Sequence, residues 1–291
     1  MTYREYPSPR ALANVIECVW TRLPDPVARK VSETVECKVS EQVPHTILPD
    51  GAIDIIATFF PDSTPDETFV VGAMTRPQFA SLGSHALVGI RFLPGAGGSA
   101  LGTNANALTD DQVHLGDAFN HNARLCDAFR SLRLNPASEH ALHLFSKALG
   151  MQRRPIPPIV RQAAKLLSQH RAPVRVQQVA RDLCVSRQHL ARVFSEHSGL
   201  TPKLFAQICR VRALLSVAQT RFDQSRATAA SQAVLSSSHE DSWSMLAAEF
   251  GYVDQSHLIA EVHAVIGQTP VAWQATAGSN IPIRPVPVAS L

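Results

Sequence analysis

The sequence predicts an α+β protein: a β-rich N-terminal domain with flanking helices, followed by an all-α domain. Short apolar or alternating runs separated by turn residues fill the first 105 positions, whereas apolar residues recur with helical period from Thr109 onward. A proline-rich stretch separates the β-rich half from an all-helical half. We therefore expect a β-rich domain at 1–150, a linker at 151–158, a helical domain at 159–275 and an extended tail at 276–291.

The N-terminal pattern predicts four strands, and Pro49-Asp50-Gly51 is typical of the turns between them. A helix is expected near the start, a second helix beginning with a cap at Thr109-Asp110-Asp111, and a third before the linker. The predicted strands are 31–39, 52–60, 69–74 and 86–93, and the first and third helices are 10–20 and 141–149.

Three charged residues of this half allow two interpretations each. Asp54 lies within a predicted buried strand, where it either pairs with another group inside the protein or lines a pocket. Arg76 and Arg91 pair with such acids or bind an anionic ligand. The residues that would bind an effector stay unknown from the sequence.

The net charge of +3 conceals a strong division along the chain. Residues 151–226 contain 14 Lys and Arg against three acids, a balance of +11, while 1–150 and 227–291 each carry −4. A basic segment of one sign is typical of a surface that binds nucleic acid.

A motif in the basic segment returns about 68 residues later. Leu190, Gly199 and Thr201-Pro202 of the first copy become Leu258, Gly267 and Thr269-Pro270 of the second. Two short helices joined by a tight turn, present twice, predict a protein that places two helices in successive DNA major grooves.

The first copy separates an inward face from a reading face. Ser186 is the predicted N-cap of the second helix, and apolar residues at i, i+3 and i+4 point inward. Gln188 and Arg192 are one turn apart on the opposite face, where Gln suits adenine and Arg suits guanine. The inward residues are Leu190, Val193 and Phe194; the candidate base contacts are Arg187, Gln188 and Arg192.

Four residues around this helix are candidates for contact with DNA phosphates. Two are hydroxyl residues at predicted helix starts and two are basic residues on the following helix, where ordinary surface ion pairs are the alternative. They are Ser186, Thr201, Lys203 and Arg212. Arg210, on the same following helix, allows the same two interpretations as Lys203 and Arg212.

The two motifs together resemble the AraC/XylS family of transcription regulators. The resemblance covers about 160–275 and is carried by 186–194, by 199–202 and, in the second copy, by Gly251-Tyr252-Val253-Asp254-Gln255-Ser256-His257-Leu258. It implies two subdomains joined by a long helix, and base contacts from Gln255, Ser256 and His257. The runs 45–56, 70–77 and 89–96 are similar to an N-terminal domain of AraC relatives whose ligands are mostly unassigned, which implies a sensor or dimerisation domain at 1–150.

Two features depart from the family pattern. Ala260 and Glu261 stand where an arginine is usual, and no Lys or Arg occurs from 227 to 283. We expect weaker base readout from the second copy, or a role as a packing partner. The segment 220–242 is longer than usual, which predicts a mobile loop or an added helix.

The remaining observations narrow the function class. The five cysteines form no Cys-x-x-Cys pair, and neither a metal site nor a cofactor is predicted. No signal peptide or membrane span is recognised, so a cytoplasmic location is expected. We predict a non-enzymatic, ligand-responsive transcription regulator that binds double-stranded DNA, forms a homodimer, and contacts RNA polymerase if it is an activator. The alternatives are a DNA-repair-type methyl acceptor using Cys18 or Cys37, and a protein-interaction regulator with impaired DNA binding.

Overall fold

The predicted fold class is confirmed by a computed structural model, in which a β-rich N-terminal part is followed by helices. The structure describes residues 2–8, 10–23, 44–59, 67–81, 86–118, 127–128, 131, 143, 147–148, 155–169, 171–231 and 239–276. The predicted strand at 31–39 and the tail at 277–291 lie outside these residues, as do most of the predicted helix at 141–149 and the first half of the linker, 151–154.

The N-terminal part is built on a six-stranded antiparallel sheet and a separate two-stranded ribbon. Side chains alternate between the two faces. One face presents Val19, Ile55, Val70 and Ile90 to the core, all fully buried. The strands are β1 Thr2–Pro7, β2 Ile16–Leu23, β3 Pro44–Ile47, β4 Asp54–Phe59, β5 Glu67–Val71, β6 Gln78–Ser81, β7 Ala86–Phe92 and β8 Gln112–His114. The order in the sheet is β1-β2-β7-β4-β5-β8, and β3 pairs with β6 in the ribbon.

On the opposite face, Trp20 lies over Gly89 of the neighbouring strand. A Cβ atom at Gly89 would stand 2.0 Å from the indole ring, so only glycine leaves room for it. The strands predicted at 52–60, 69–74 and 86–93 correspond to β4, β5 and β7.

Two local predictions were wrong. The predicted helix at 10–20 is a single 3-10 turn, Arg10–Leu12, followed by strand β2, because Ile16, Val19 and Trp20 are buried in the sheet. Asp110 does not cap a helix. It adopts a left-handed backbone (φ 59°) and accepts a hydrogen bond from the Thr75 amide at 2.7 Å.

The C-terminal part is helical throughout its described residues. A 30-residue helix, α6 (Pro202–Ser231), lies between two pairs of shorter helices. Of the segment 220–242, predicted as a mobile loop or an added helix, residues 220–231 extend α6, 239–242 begin the next helix, and 232–238 lie outside the described residues. The described helices are α1 Gly97–Leu101, α2 Leu115–Ala118, α3 Pro158–Ser168, α4 Val176–Asp182, α5 Arg187–Ser198, α6 Pro202–Ser231, α7 His239–Glu249, α8 Gln255–Ile266 and α9 Pro270–Thr276.

One continuous set of buried side chains connects the two parts. Phe205 of α6 is fully buried and packs against Phe194 of α5, with ring centroids 5.3 Å apart. A Cβ atom at Gly51 would stand 2.8 Å from the Phe205 ring, so this ring also touches the N-terminal part. The first helix pair and the sheet therefore share a core.

We expect Phe205→Ala to lower the free energy of unfolding by about 3–5 kcal/mol, because it opens a cavity in this shared core. Urea unfolding followed by tryptophan fluorescence tests this. Trp20 reports on the sheet in a Trp243→Phe/Trp273→Phe background, and Trp243 and Trp273 report on the second helix pair in a Trp20→Phe background. Phe205→Ala should lower the free energy of unfolding by a similar amount in both backgrounds. A loss of stability reported only by Trp243 and Trp273 would show that the core is not shared.

Candidate nucleic-acid interface

The first helix pair, α4 and α5, meets at a tight turn. Cys184 adopts a left-handed backbone (φ 55°), and the Val185 amide donates to the Ala180 carbonyl at 2.9 Å. The Ser186 hydroxyl caps α5 by accepting from the His189 amide at 3.1 Å. Gly199 ends α5 in the left-handed region (φ 79°), as glycine commonly does. The cap and the stop lie where the sequence predicted them.

The face of α5 divides as predicted into apolar and polar halves. Leu190, Val193 and Phe194 are buried, whereas Arg187, Gln188 and Arg192 are exposed. The three candidate base contacts thus share the solvent side of one helix.

Arg192 is held on this face by an acid of the same helix. Its Nη1 atom lies 2.8 and 3.1 Å from the two carboxylate oxygens of Glu196, one turn away. The Arg192 side chain keeps 61% of its surface exposed. Such an exposed pair stabilises a helix by only about 0.3–0.5 kcal/mol, so another hydrogen-bonding partner can compete with it.

The four phosphate candidates do not share one environment. Lys203 is exposed on the first turn of α6, and the Thr201 hydroxyl accepts from the Leu204 amide at 3.2 Å to start that helix. Arg212, in contrast, is 9% exposed and donates to the Pro49 carbonyl at 3.3 Å. In this structure Arg212 points at the N-terminal part, away from any surface that a phosphate reaches.

The second helix pair, α7 and α8, has the same arrangement of turn and capped helix as the first pair, but its turn is one residue longer. Asp254 caps α8 by accepting from the His257 amide at 2.7 Å. The Tyr252 amide donates to the Ala247 carbonyl, as in the first pair, but Val253 then adds one residue before the cap. The two copies are therefore offset by 67 residues before the turn and 68 after it.

The second-copy candidates lie at the start of α8. Ser256 and His257 are exposed, and Gln255 is half-buried, accepting from the Ser244 hydroxyl at 3.0 Å. Glu261, the departure noted in the sequence, is turned toward α6, where it pairs with Arg210.

Acids of the second pair also neutralise part of the basic segment. The Glu249 carboxylate lies 2.6 Å from Arg171 and 2.6 Å from Arg221. Among the described residues of the basic segment 151–226, the exposed bases without an ion pair surround the first helix pair. They are Arg175, Arg181, Arg187 and Lys203.

The end of α5 is embedded in the N-terminal part. Ser99 Oγ and His197 Nδ1 are joined by a hydrogen bond of 2.8 Å, and the Thr109 hydroxyl donates to the Gly199 carbonyl at 2.7 Å. Ser99 is 1% exposed. These contacts were not predicted, because Ser99 belongs to no recognisable motif, Thr109 was assigned to a helix cap, and their partners lie 98 and 90 residues away in the chain.

A charged cluster lies next to the Pro49 carbonyl that Arg212 contacts. Arg91 lies 3.1 Å from Asp50 and 3.3 Å from Asp54. Of the two interpretations given for Asp54 and Arg91, the structure therefore shows the internal ion pair. Arg76 is exposed. Burial raises the pKa of Glu17 to about 8, with Arg91 opposing and the carboxylates of Asp50 and Asp54 adding to the rise.

Cys18, one of the two candidate methyl acceptors, is buried at 5% exposure. Burial raises the pKa of its thiol well above the ordinary value, which disfavours the reactive thiolate. Cys37 lies outside the described residues.

The described residues contain neither a metal-binding cluster nor a membrane-spanning helix. Among them, no three His, Cys, Asp or Glu side chains gather as a metal-binding group. None of the described helices has the length and apolarity needed to cross a membrane.

Comparison with known proteins adds one family match and several structural likenesses. Residues 4–114 match the model of a domain of unknown function, DUF6597, and no curated protein matches the chain. ToxT from Vibrio cholerae O395 is 12% identical, with 81% of this chain and 95% of ToxT covered and a TM-score of 0.38. An apo ToxT variant from Vibrio cholerae strain SCE256 is 11% identical, with 92% and 98% covered and a TM-score of 0.40.

A structure of unsaturated fatty acid bound wild-type ToxT from the same strain is 10% identical, with 82% and 92% covered and a TM-score of 0.38. Because all three TM-scores lie below 0.5, these likenesses carry no argument about the function of this chain.

The raised pKa of Glu17 predicts a pH-dependent stability. The folded chain binds this proton more tightly than the unfolded chain, so the free energy of unfolding should fall as the pH rises from about 4.5 toward 8. We expect Glu17→Gln to flatten this fall and to raise the melting temperature at pH 8, measured by circular dichroism. Glu67→Gln, which changes an exposed carboxylate of β5, is the control; an equal effect of both variants would contradict the assignment to Glu17.

Proposed function

We propose that the chain is an AraC-like transcription regulator that binds specific DNA sequences mainly through its first helix pair. The observation that carries the proposal is α5 itself: a helix capped at both ends, packed on its apolar face, with Arg187, Gln188 and Arg192 exposed together. A helix of these dimensions fits the major groove of B-DNA.

The first turns of α5 would enter the groove. Arg192 offers two parallel donors to O6 and N7 of guanine, Gln188 pairs with N6 and N7 of adenine, and Arg187 reaches a neighbouring base. Lys203, Thr201 and the Ser186 cap lie at the two helix starts and would contact the flanking phosphates. Arg212 has no part in this proposal, since it is buried against Pro49.

The second helix pair would contribute less. Gln255, Ser256 and His257 lie at the start of α8 and would meet the next major groove, about 34 Å along the duplex. The absence of Lys and Arg from 227 to 283 predicts little phosphate attraction by this pair.

The N-terminal part would regulate the reading helix. We propose that it binds a small-molecule effector and mediates a homodimer, and that the DNA-bound protein contacts RNA polymerase if it activates transcription. Support for regulation comes from the junction, because Ser99 and Thr109 hold the last residues of α5 directly. A change in the sheet therefore has a short physical route to the reading helix.

Two other functions predict different results. A methyl-accepting repair protein would transfer a methyl group from alkylated DNA to Cys18 or Cys37, which mass spectrometry detects, but the burial of Cys18 disfavours it. A regulator that binds only other proteins would show no salt-sensitive binding to duplex DNA.

Selection of binding sites from random duplexes, followed by gel-shift titration, tests the reading face. We expect Arg192→Ala to cost about 1–3 kcal/mol at the selected site and to relax the preference at one base pair. Lys203→Ala should weaken all duplexes about equally and reduce the salt dependence. Arg76→Ala, which removes an exposed arginine of the N-terminal part, is the control. Unchanged affinity of Arg192→Ala would place the reading surface elsewhere.

The Arg192–Glu196 ion pair predicts a gain of affinity. Glu196→Gln frees the guanidinium from its intrahelical partner, so we expect binding to the selected duplex to strengthen about twofold, the equivalent of one exposed ion pair. Asp182→Asn is the matched control, because it removes one exposed acid from the neighbouring helix. An equal gain in the two variants would show that only overall charge matters.

A further inference from the structure

Arg210 of α6 and Glu261 of α8 form an ion pair at the junction between the long helix and the second helix pair. Arg210 Nε donates to Glu261 Oε1 at 2.8 Å, and a second guanidinium nitrogen donates to Oε2. Their side chains keep only 8% and 10% of their surface exposed. The two planar groups thus meet by two parallel hydrogen bonds, which fixes their relative orientation as well as their distance.

Tyr252, in the turn before α8, completes the cluster. Its hydroxyl donates to Glu261 Oε1 at 3.1 Å, and the Arg210 guanidinium lies 4.4 Å from the centre of its ring. The cluster therefore ties α6 to both the turn and the helix that follows it.

The cluster is better explained as fixing the relative orientation of the helices than as adding to the free energy of unfolding. Arg210 Nη1 is buried without a hydrogen-bond partner in the described part of the chain, and buried ion pairs are often no more stabilising than apolar residues of similar volume. What such a pair supplies is a single preferred arrangement, because any other arrangement leaves a buried charge unpaired.

A second contact between the same parts differs in kind. Glu249 binds Arg171 and Arg221, whose side chains are 60% and 41% exposed. Exposed pairs of this type contribute little and tolerate movement. Of these two contacts, only the Arg210–Glu261 pair is shielded enough to define an angle between helices.

We propose that Arg210, Glu261 and Tyr252 are positioning residues that hold α8 at one orientation relative to α5 and so determine the spacing between the two half-sites that the protein accepts. Gln255, Ser256 and His257 begin the helix that Glu261 anchors, and α6 carries Arg210 directly after the first helix pair. The inference rests on the proposed DNA-binding function. It also gives a physical reason for an acid at 261, which binds α6 instead of facing a groove.

Gel-shift titration against a series of duplexes tests the proposal. Each duplex carries the two half-sites with centres one helical turn apart, or with one or two base pairs inserted or removed; a further duplex carries the first half-site alone. The wild-type chain should prefer one spacing about tenfold or more over a change of two base pairs. Glu261→Gln should flatten this preference while its affinity for the single half-site stays within about twofold of wild type.

Two further variants keep the test decisive. Arg210→Met/Glu261→Met replaces the pair with apolar side chains and leaves no unpaired charge, so it should fold with a melting temperature near wild type and still lose the spacing preference. Glu249→Gln removes the same charge from the exposed contact and should keep the wild-type preference.

The outcomes separate the inference from the function on which it rests. A wild-type spacing preference in both Glu261→Gln and the double variant overturns the positioning role while leaving DNA binding intact. Failure of the wild-type chain to bind any selected duplex overturns the proposed function, and the inference with it. Flattened preference in these two variants, but not in Glu249→Gln, supports the proposal.

Discussion

The arrangement of the molecule depends on the burial of the last turn of α5 against the N-terminal part. The Ser198 hydroxyl donates to the Phe194 carbonyl, and the Thr109 hydroxyl donates to the Gly199 carbonyl, so the polar groups at this helix end have partners inside the protein. Such partners are required, because unpaired helix ends are costly to bury. The first turns of α5 are exposed and can contact a ligand, whereas its last turn contacts the N-terminal part.

Charge is divided between the two helix pairs in a complementary way. The first pair and α6 are strongly basic. The second pair supplies Glu249, which forms ion pairs with Arg171 and Arg221, and Glu261, which forms one with Arg210. The remaining bases are concentrated near α4, α5 and the start of α6. The balance of +11 therefore overstates the positive surface, and the acidic character of the second pair is partly structural.

Local signals made the helix pairs predictable, whereas contacts between distant segments were not. Ser186, Asp254 and the two glycine stops act through neighbouring amides, so their roles are readable from spacing. The apolar run 10–20 was misread as a helix, because both faces of β2 are partly covered and strand alternation is hidden. Arg212 looked like a phosphate ligand; only the approach of Pro49, 163 residues away, reveals its inward orientation.

Two hydrogen bonds across the junction end on main-chain oxygen atoms, those of Pro49 and Gly199. A main-chain carbonyl is present whatever side chain its residue carries. Substitution is therefore restricted mainly at the two donors, Arg212 and Thr109. Each half contributes one donor and one acceptor. Recombination that joined this helical half to a foreign N-terminal domain would retain Arg212 and the Gly199 carbonyl. For these two hydrogen bonds, the foreign domain would have to supply one hydroxyl at the place of Thr109 and a main-chain carbonyl, which any residue carries.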